Sequence, residues 1–320
     1  MLIQTFTHPE PPKPGTGVRY ASYQGSAPVG SEQDVDKNTE TMIEIAKFAR
    51  ENHGVQIVAF PELFMMGYGL DPEMVKQLAE PVDGEHPAEV REAAKSAGIA
   101  VVCPYAERAQ VHGETHYFDS IAVFGPDGDL RFNYRKTHLF GQAERENFTP
   151  GDGPYEHTLI NDFPVGILNC YEAEFVELPR IQALKGAKFV IIPTAADFYY
   201  TKPDGKRTKV PYPDISQNLI PAQAYMNEIF VAYCNYYGYE HVQSDSWHFR
   251  GNSVLADPHG EMPLQAPHNR ETLLVGDIVP GDYGPTHPAG ASYLKDRRPG
   301  LYQELVAAVP GFDDNYNYGA

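Results

Sequence analysis

The chain has 320 residues, 42% of them hydrophobic, which suffices for a large buried core and excludes a disordered polymer. Its 43 acidic and 25 basic residues give a formal net charge of −18, which argues against nucleic acid or an anionic membrane face as a partner. Three cysteines, Cys103, Cys170 and Cys234, make no disulfide framework and fit a reducing cytoplasm, where we expect the protein to reside. The N-terminal residues lack a basic segment followed by an apolar core, so they do not read as a secretory signal, and no apolar run reaches membrane-spanning length.

In chain order, residues 1–17 are rich in proline and glycine and read as an extended arm. Val18–Tyr23 reads as the first strand. Ser31–His53 carries apolar residues at helical spacing behind an acidic start, with Gly54 placed to cap its end. A buried strand from Val55 ends at Pro61-Glu62. Helical patterns follow at Pro72–Leu78 and Pro87–Ala97, then strands at Ile99–Tyr105 and Tyr117–Phe124. Pro126-Asp-Gly128 is a tight turn that joins Phe124 to Leu130–Arg135 as a hairpin.

An apolar run from Pro164 ends at Cys170, and a helical segment follows over Phe175–Leu184, closed by Gly186. Phe189–Pro193 is a short buried strand. Asp197–Asp214 is a long polar and aromatic loop of the kind that serves as a lid. Gln217–Asn227 reads as helix and Ile229–Tyr233 as strand. Ser253–Ala256, the turn Asp257-Pro-His-Gly260 and Thr272–Val279 read as a further hairpin region. Residues 281–320 are irregular, with one helical stretch near Tyr302–Ala308. No repeat or linker divides the chain, so one domain is expected.

Three of these strands end in reactive groups: Glu62, Lys136 and Cys170. Taken singly, the glutamate reads as a capping acid, the lysine as a solvated strand end and the cysteine as a small hydrophobe. Together they supply a nucleophile, a base and a cation at strand ends, where open α/β sheets keep their chemistry. A thiol of ordinary pKa, about 8.5, is mostly protonated at neutral pH. A nearby ammonium favours the thiolate, and a nearby carboxylate can remove the proton during attack. A helix opening after Cys170 would aim backbone N–H groups at a developing oxyanion. Cys103 and Cys234 sit inside apolar runs and read as core residues. His138 lies two residues beyond Lys136, a spacing that on a strand puts both on one face. A Cys–His hydrolase is therefore a competing reading, but the glutamate and lysine already supply a base and a positive charge, so His138 is expected to play a structural or supporting role. The histidines have no metal-ligand spacing, and neither a metal nor a cofactor is expected.

The sequences around these residues resemble a known family. Ala59-Phe-Pro-Glu-Leu-Phe64 is similar to the first catalytic block of the nitrilase superfamily of carbon–nitrogen hydrolases. Tyr134-Arg-Lys-Thr-His-Leu139 resembles its lysine block, and Asn169-Cys-Tyr-Glu-Ala-Glu-Phe175 its nucleophile block. Ala187–Thr194, Pro221–Asn227, Gly251–Ser253 and Asp257–Gly260 resemble later blocks, so the likeness runs from about Val18 to Val279. Gln223 and Met226 replace the Arg and Glu of the helix block, and Phe175-Val-Glu177 departs from the pattern after the nucleophile. These differences touch subfamily detail.

The resemblance implies a four-layer α-β-β-α sandwich over residues 18–280, with residues 281–320 as an oligomer contact, and pairing through outer helices into a homodimer or higher oligomer. It implies Glu62 as base, Lys136 as catalytic cation and Cys170 as nucleophile, with the Tyr171 backbone N–H at the oxyanion. A second glutamate should orient substrate. Glu144 is preferred to Glu146, because its distance from the lysine resembles that in the family's amidases. Tyr171 stands where nitrilases commonly carry tryptophan, which favours an amidase acting on a small linear amide. An N-carbamoyl amide hydrolase comes next, then a nitrilase, and last an inactive binding member. Tyr68, Phe140, Phe198 and Trp247 are the aromatics expected to line the substrate pocket. Asp197 and Lys202 are placed to read a charged substrate end, or to sit in solvent.

Overall fold

The first helix begins where a side chain can take over a missing bond. Ser31 accepts from the Asp34 N–H, and Gly54 closes the other end at φ 64°, its N–H reaching back to Ala49 and Arg50. Such local signals set most elements of this computed structural model, which describes residues 1–199, 206, 208–242 and 245–307. In chain order these are β1 (Leu2–Phe6), β2 (Val18–Gln24), α1 (Glu32–His53), β3 (Ile57–Ala59), α2 (Pro72–Leu78), α3 (Glu85–Ala97), β4 (Ala100–Val111), β5 (Glu114–Phe124), β6 (Leu130–Arg135) and α4 (Gly141–Asn147). There follow β7 (His157–Ile160), β8 (Phe163–Ile167), α5 (Glu177–Lys185), β9 (Phe189–Thr194), α6 (Ile215–Asn218), α7 (Ile220–Asn227), β10 (Phe230–Asn235), β11 (Tyr237–Val242), β12 (Asp245–Arg250), β13 (Val254–Ala256), β14 (Leu264–Gln265) and β15 (Thr272–Ile278).

A seven-stranded sheet runs β1-β15-β2-β3-β4-β5-β6, and a six-stranded sheet runs β14-β13-β10-β9-β8-β7. The sheets face each other: Tyr20, Ile57 and Ile121 of the first meet Val165, Phe189 and Phe230 of the second, with Tyr20 edge-on to Phe189 at 5.0 Å. Helices α1 and α3 cover the outer face of the first sheet, and α5 and α7 that of the second. The four layers are therefore α-β-β-α. Every residue of β2 is buried because both of its faces are covered: Val18 and Tyr20 enter the core between the sheets, Ala21 and Tyr23 the core under the helices.

Several elements differ from the sequence reading. Leu2–Phe6, inside the expected arm, is a strand paired parallel to β15. Its short apolar–polar run is too brief to signal a strand without its neighbour. The hairpin expected around the Asp257–Gly260 turn pairs β13 with β14, while β15 crosses to the other sheet beside β2. The helix expected over Gln217–Asn227 breaks at Leu219, where α6 ends, and Pro221 begins α7 at a position where its missing N–H costs nothing. Strands β11 and β12, which the sequence pattern does not signal, pair as a separate two-stranded sheet. Among the described residues no helix is long and apolar enough to cross a membrane.

Candidate active site

Glu62 follows β3 by three residues, Lys136 follows β6 directly, and Cys170 follows β8 by three residues. Carboxylate and ammonium thus come from one sheet and thiol from the other, and they meet where the two sheets end on the same side. The turn bearing Glu62 is fastened on both sides. Its N–H donates to the Thr194 carbonyl at 3.4 Å, and its carbonyl accepts from the Tyr236 hydroxyl at 2.8 Å.

The Lys136 ammonium is fully buried. It donates to Glu62 Oε1 at 2.5 Å and Glu144 Oε2 at 2.7 Å, and lies 3.5 Å from Asp119 Oδ2. The oxygens of these three acids lie within 4.8 Å of one another, a spacing that would suit a metal. The cation at their centre is the lysine. Burial alone would pull its pKa down; attraction from Glu144, Glu62 and Asp119 reverses this and holds it well above the usual value. Three carboxylates facing one ammonium cannot all stay charged at ordinary cost. Burial, then repulsion from Glu62, pushes Asp119 well up, and burial also raises Glu144 despite the lysine beside it.

Glu144 is the carboxylate that joins this cluster; Glu146, on the exposed side of α4, bonds Gln142 instead. Glu144 also accepts from the Phe140 N–H at 2.7 Å and from the Tyr68 hydroxyl at 2.7 Å. Glu62 Oε2 is buried and no donor among the described residues bonds it, while the carboxyl of Asp119, raised by burial, lies next to Glu62.

Cys170 opens a short 3₁₀ helix, Cys170–Glu174, and holds the left-handed conformation at φ 47°, a strained setting for a side-chain-bearing residue. The residue is half-buried, whereas Cys103 and Cys234 are sealed. The lysine does not hold this thiol ionised. Burial and the negative charge of Glu62 push its pKa well above the usual value, outweighing Lys136 and the Ala195 N–H that donates to the sulfur. The geometry therefore suits proton removal during attack rather than a resident thiolate.

The two strand ends are welded by groups the sequence reading did not single out. Asn169 donates to Asp119 at 2.9 Å. Glu172, fully buried, accepts from Tyr134, from the N–H and hydroxyl of Thr137, and from the Asn169 N–H at 2.6–2.8 Å. A lone acid inside an apolar strand, as Asp119 is in Phe118-Asp-Ser-Ile121, was the available signal.

His138 takes a different place from the one its spacing suggested. The strand ends at Arg135, so alternation no longer applies; the ring meets the Thr137 hydroxyl at 2.7 Å and lies against Phe175. Of the four aromatics, Tyr68 stands edge-on to Trp247 at 5.4 Å and bonds Glu144, and Phe140 stands edge-on to Tyr171 at 5.3 Å. Phe198 packs with His248 at 4.7 Å and under the Arg250 guanidinium. Asp197 accepts from the His248 N–H at 3.1 Å, and Lys202 lies outside the described residues. A cavity of about 750 Å³ is lined by Thr137, His138 and residues 149–155 among others; neither Cys170 nor Lys136 lines it.

The family model for carbon–nitrogen hydrolases matches residues 19–288. A protein from Pseudomonas protegens named as a hydrolase in the pqqF 5′ region is 31% identical over 85% of this chain and 87% of its own length. An (R)-stereoselective amidase from Pseudomonas sp. is 30% identical over 76% of this chain and 79% of its own. Among solved structures, a glutamine-for-glutamate variant of the Nesterenkonia sp. AN1 amidase superposes with a TM-score of 0.68 at 26% identity, covering 91% of this chain and 97% of that one. That structure carries the acetamide moiety of fluoroacetamide added covalently at its active-site cysteine.

Proposed function

The chain belongs to the carbon–nitrogen hydrolase family, and from that premise we propose that it is an amidase, hydrolysing a small linear amide to acid and ammonia through a thioester on Cys170. The observation that carries this reading is the Lys136 ammonium held between Glu62 and Glu144, with the Glu62 charge acting on the Cys170 thiol.

In this mechanism Glu62 takes the thiol proton as the sulfur attacks the amide carbonyl carbon. Lys136 and the Tyr171 N–H stabilise the oxyanion. Collapse of the tetrahedral intermediate breaks the C–N bond, and Glu62 returns the proton to the departing ammonia. Water, deprotonated by Glu62, then attacks the thioester; the acid leaves and the thiol recovers its proton. Glu144, held by Lys136, Phe140 N–H and Tyr68, orients the amide group. Tyr68 and Phe140, both bonded to Glu144, and Trp247, packed on Tyr68, supply apolar walls close to this point, which favours a compact substrate.

Pairing into a homodimer is supported by exposed Val176 and Leu184 beside α5, next to the C-terminal extension, which Arg180 ties in by donating to the Tyr293 carbonyl. Three unpaired cysteines favour the cytoplasm.

A panel of simple amides, N-carbamoyl amino acids and nitriles, assayed for ammonia release with wild type and Cys170→Ala, tests the reading. Turnover of short amides that drops by several orders of magnitude in Cys170→Ala is expected. Full amidase activity in that variant overturns it. Preference for carbamoyl compounds or nitriles reassigns the substrate class.

A further inference from the structure

Glu240 lies on β11, where its neighbour Tyr239 is exposed and Glu240 itself is 3% exposed. Strand alternation thus turns a carboxylate inward, against the turn Gly67-Tyr68-Gly69. Its Oε1 accepts the Tyr68 N–H at 2.8 Å and its Oε2 the Gly69 N–H at 2.7 Å. The turn is moulded to the acid: Gly67 has φ +80°, and a Cβ there would stand 2.9 Å from Glu240 Oε1 and 2.5 Å from the Val29 Cβ. Directly across the hairpin, Trp247 is the register partner of Glu240 and packs edge-on against the Tyr68 ring. Backbone and ring of Tyr68 are therefore both fixed by the β11–β12 hairpin, and its hydroxyl meets Glu144, which in turn meets Lys136.

We propose that Glu240 is a positioning residue: while ionised, it holds the Gly67–Gly69 turn so that the Tyr68 hydroxyl fixes Glu144 against Lys136. The inference rests on the reading of Glu144 as a substrate-orienting carboxylate. The reason for the ionisation requirement is stereochemical. Each carboxylate oxygen faces one backbone N–H, so both must accept. A protonated carboxyl, or an amide, presents a donor to one of those N–H groups, and one contact is lost.

The charge state is poised to change near neutrality. Burial drives Glu240 up to about 7 against the two N–H donors that favour its charged form. The titratable groups facing it are Tyr236, which precedes β11, and Tyr68 from the turn, with Glu144 of α4 behind the Tyr68 hydroxyl. Its register partner on β12 is the neutral Trp247, and among the described residues no cation pairs with it.

The test is kcat and KM for propionamide, or the best short amide of the panel, from pH 5.5 to 9, for wild type, Glu240→Gln and Tyr68→Phe. Glu240→Gln mimics the protonated acid at every pH. The wild-type to Glu240→Gln ratio of kcat is expected to be roughly tenfold above pH 8, the size of a lost charge-assisted bond, and to close toward unity below pH 6, with KM changed less than twofold. The ratio cancels limbs contributed by Cys170 and Glu62. A ratio constant with pH, or an effect confined to KM, overturns the inference. Tyr68→Phe should show the same closing ratio, and it carries the test alone if Glu240→Gln fails to unfold cooperatively. Amide hydrolysis that survives in Glu144→Gln defeats the reading of the site itself; a flat ratio in an enzyme that needs Glu144 defeats only the part given to Glu240.

Discussion

Asn169 donates to the Asp119 carboxylate at 2.9 Å, so the residue directly before Cys170 is tied to an acid lying 3.5 Å from the Lys136 ammonium. The thiol's position relative to the lysine is therefore set by a bond between the two sheets, independent of substrate. Asn169→Ala removes the donor and leaves buried Asp119 Oδ1 without it. We expect a loss of about 1–3 kcal/mol in urea unfolding, together with a fall in kcat. Unchanged stability would show the bond to be incidental.

Glu172 is the second tie. Burial works against its charge, but the neighbouring His138 ring, 3.9 Å away, and bonds from Thr137 and Tyr134 overcome this and lower its pKa. A carboxylate depressed in the folded state stabilises above its unfolded pKa, and that contribution disappears as pH falls through the folded value. Glu172→Ala should cost about 3 kcal/mol or more at pH 7, because several buried donors are orphaned at once. Glu172→Gln should flatten the acid arm of a stability-versus-pH curve. An acid arm identical to wild type would exclude the tie as its source.

Alkylation reports on the thiol. Iodoacetamide should label Cys170 and spare Cys103 and Cys234, which are fully buried and whose thiols burial holds far above the ordinary range or, for Cys234, at about 12. Because the Cys170 pKa is raised, little thiolate exists at pH 7, and labelling there depends on Glu62 taking the proton. Glu62→Gln removes the proton acceptor and also relieves the repulsion that raises the thiol; we expect loss of the acceptor to dominate at pH 7, so labelling slows there, and the gap to close or reverse as pH rises and the thiol ionises without a base. Equal rates at pH 7 would remove Glu62 as the base.

Glu240 predicts opposite effects on stability and rate. With a folded pKa raised from 4.5 to about 7, its contribution is fully present below pH 4.5 and is lost as pH rises through 7. Ionising it in the fold costs roughly 3 kcal/mol, an upper bound on what Glu240→Gln recovers at pH 8. The variant should therefore unfold at equal or higher temperature at pH 8 while turning over more slowly. A melting temperature that falls with pH as steeply as in wild type would contradict this.

Much of the fold and the core of the site were legible along the chain. Ser31 and Gly54 bracket α1 by capping chemistry alone, and the ends of β3, β6 and β8 announce Glu62, Lys136 and Cys170 by placing reactive groups after apolar runs. Strand periodicity and turn residues are local, so a sequence can display them.

The partners of those residues are not local. Asp119 meets Asn169 across 50 positions, Tyr134 meets Glu172 across 38, and Tyr68 meets Glu240 across 172. A buried polar side chain must find its hydrogen bond somewhere, but composition and spacing do not say where, because the partner is fixed by how the two sheets stack and how β11–β12 folds over the Tyr68 turn. The sequence by itself determined which chemical groups this protein carries to its strand ends. Only the tertiary structure decided how far the thiol is from being ionised, which glutamate joins the lysine, and which acids hold the assembly in place, since these depend on burial and on charges brought together from distant segments.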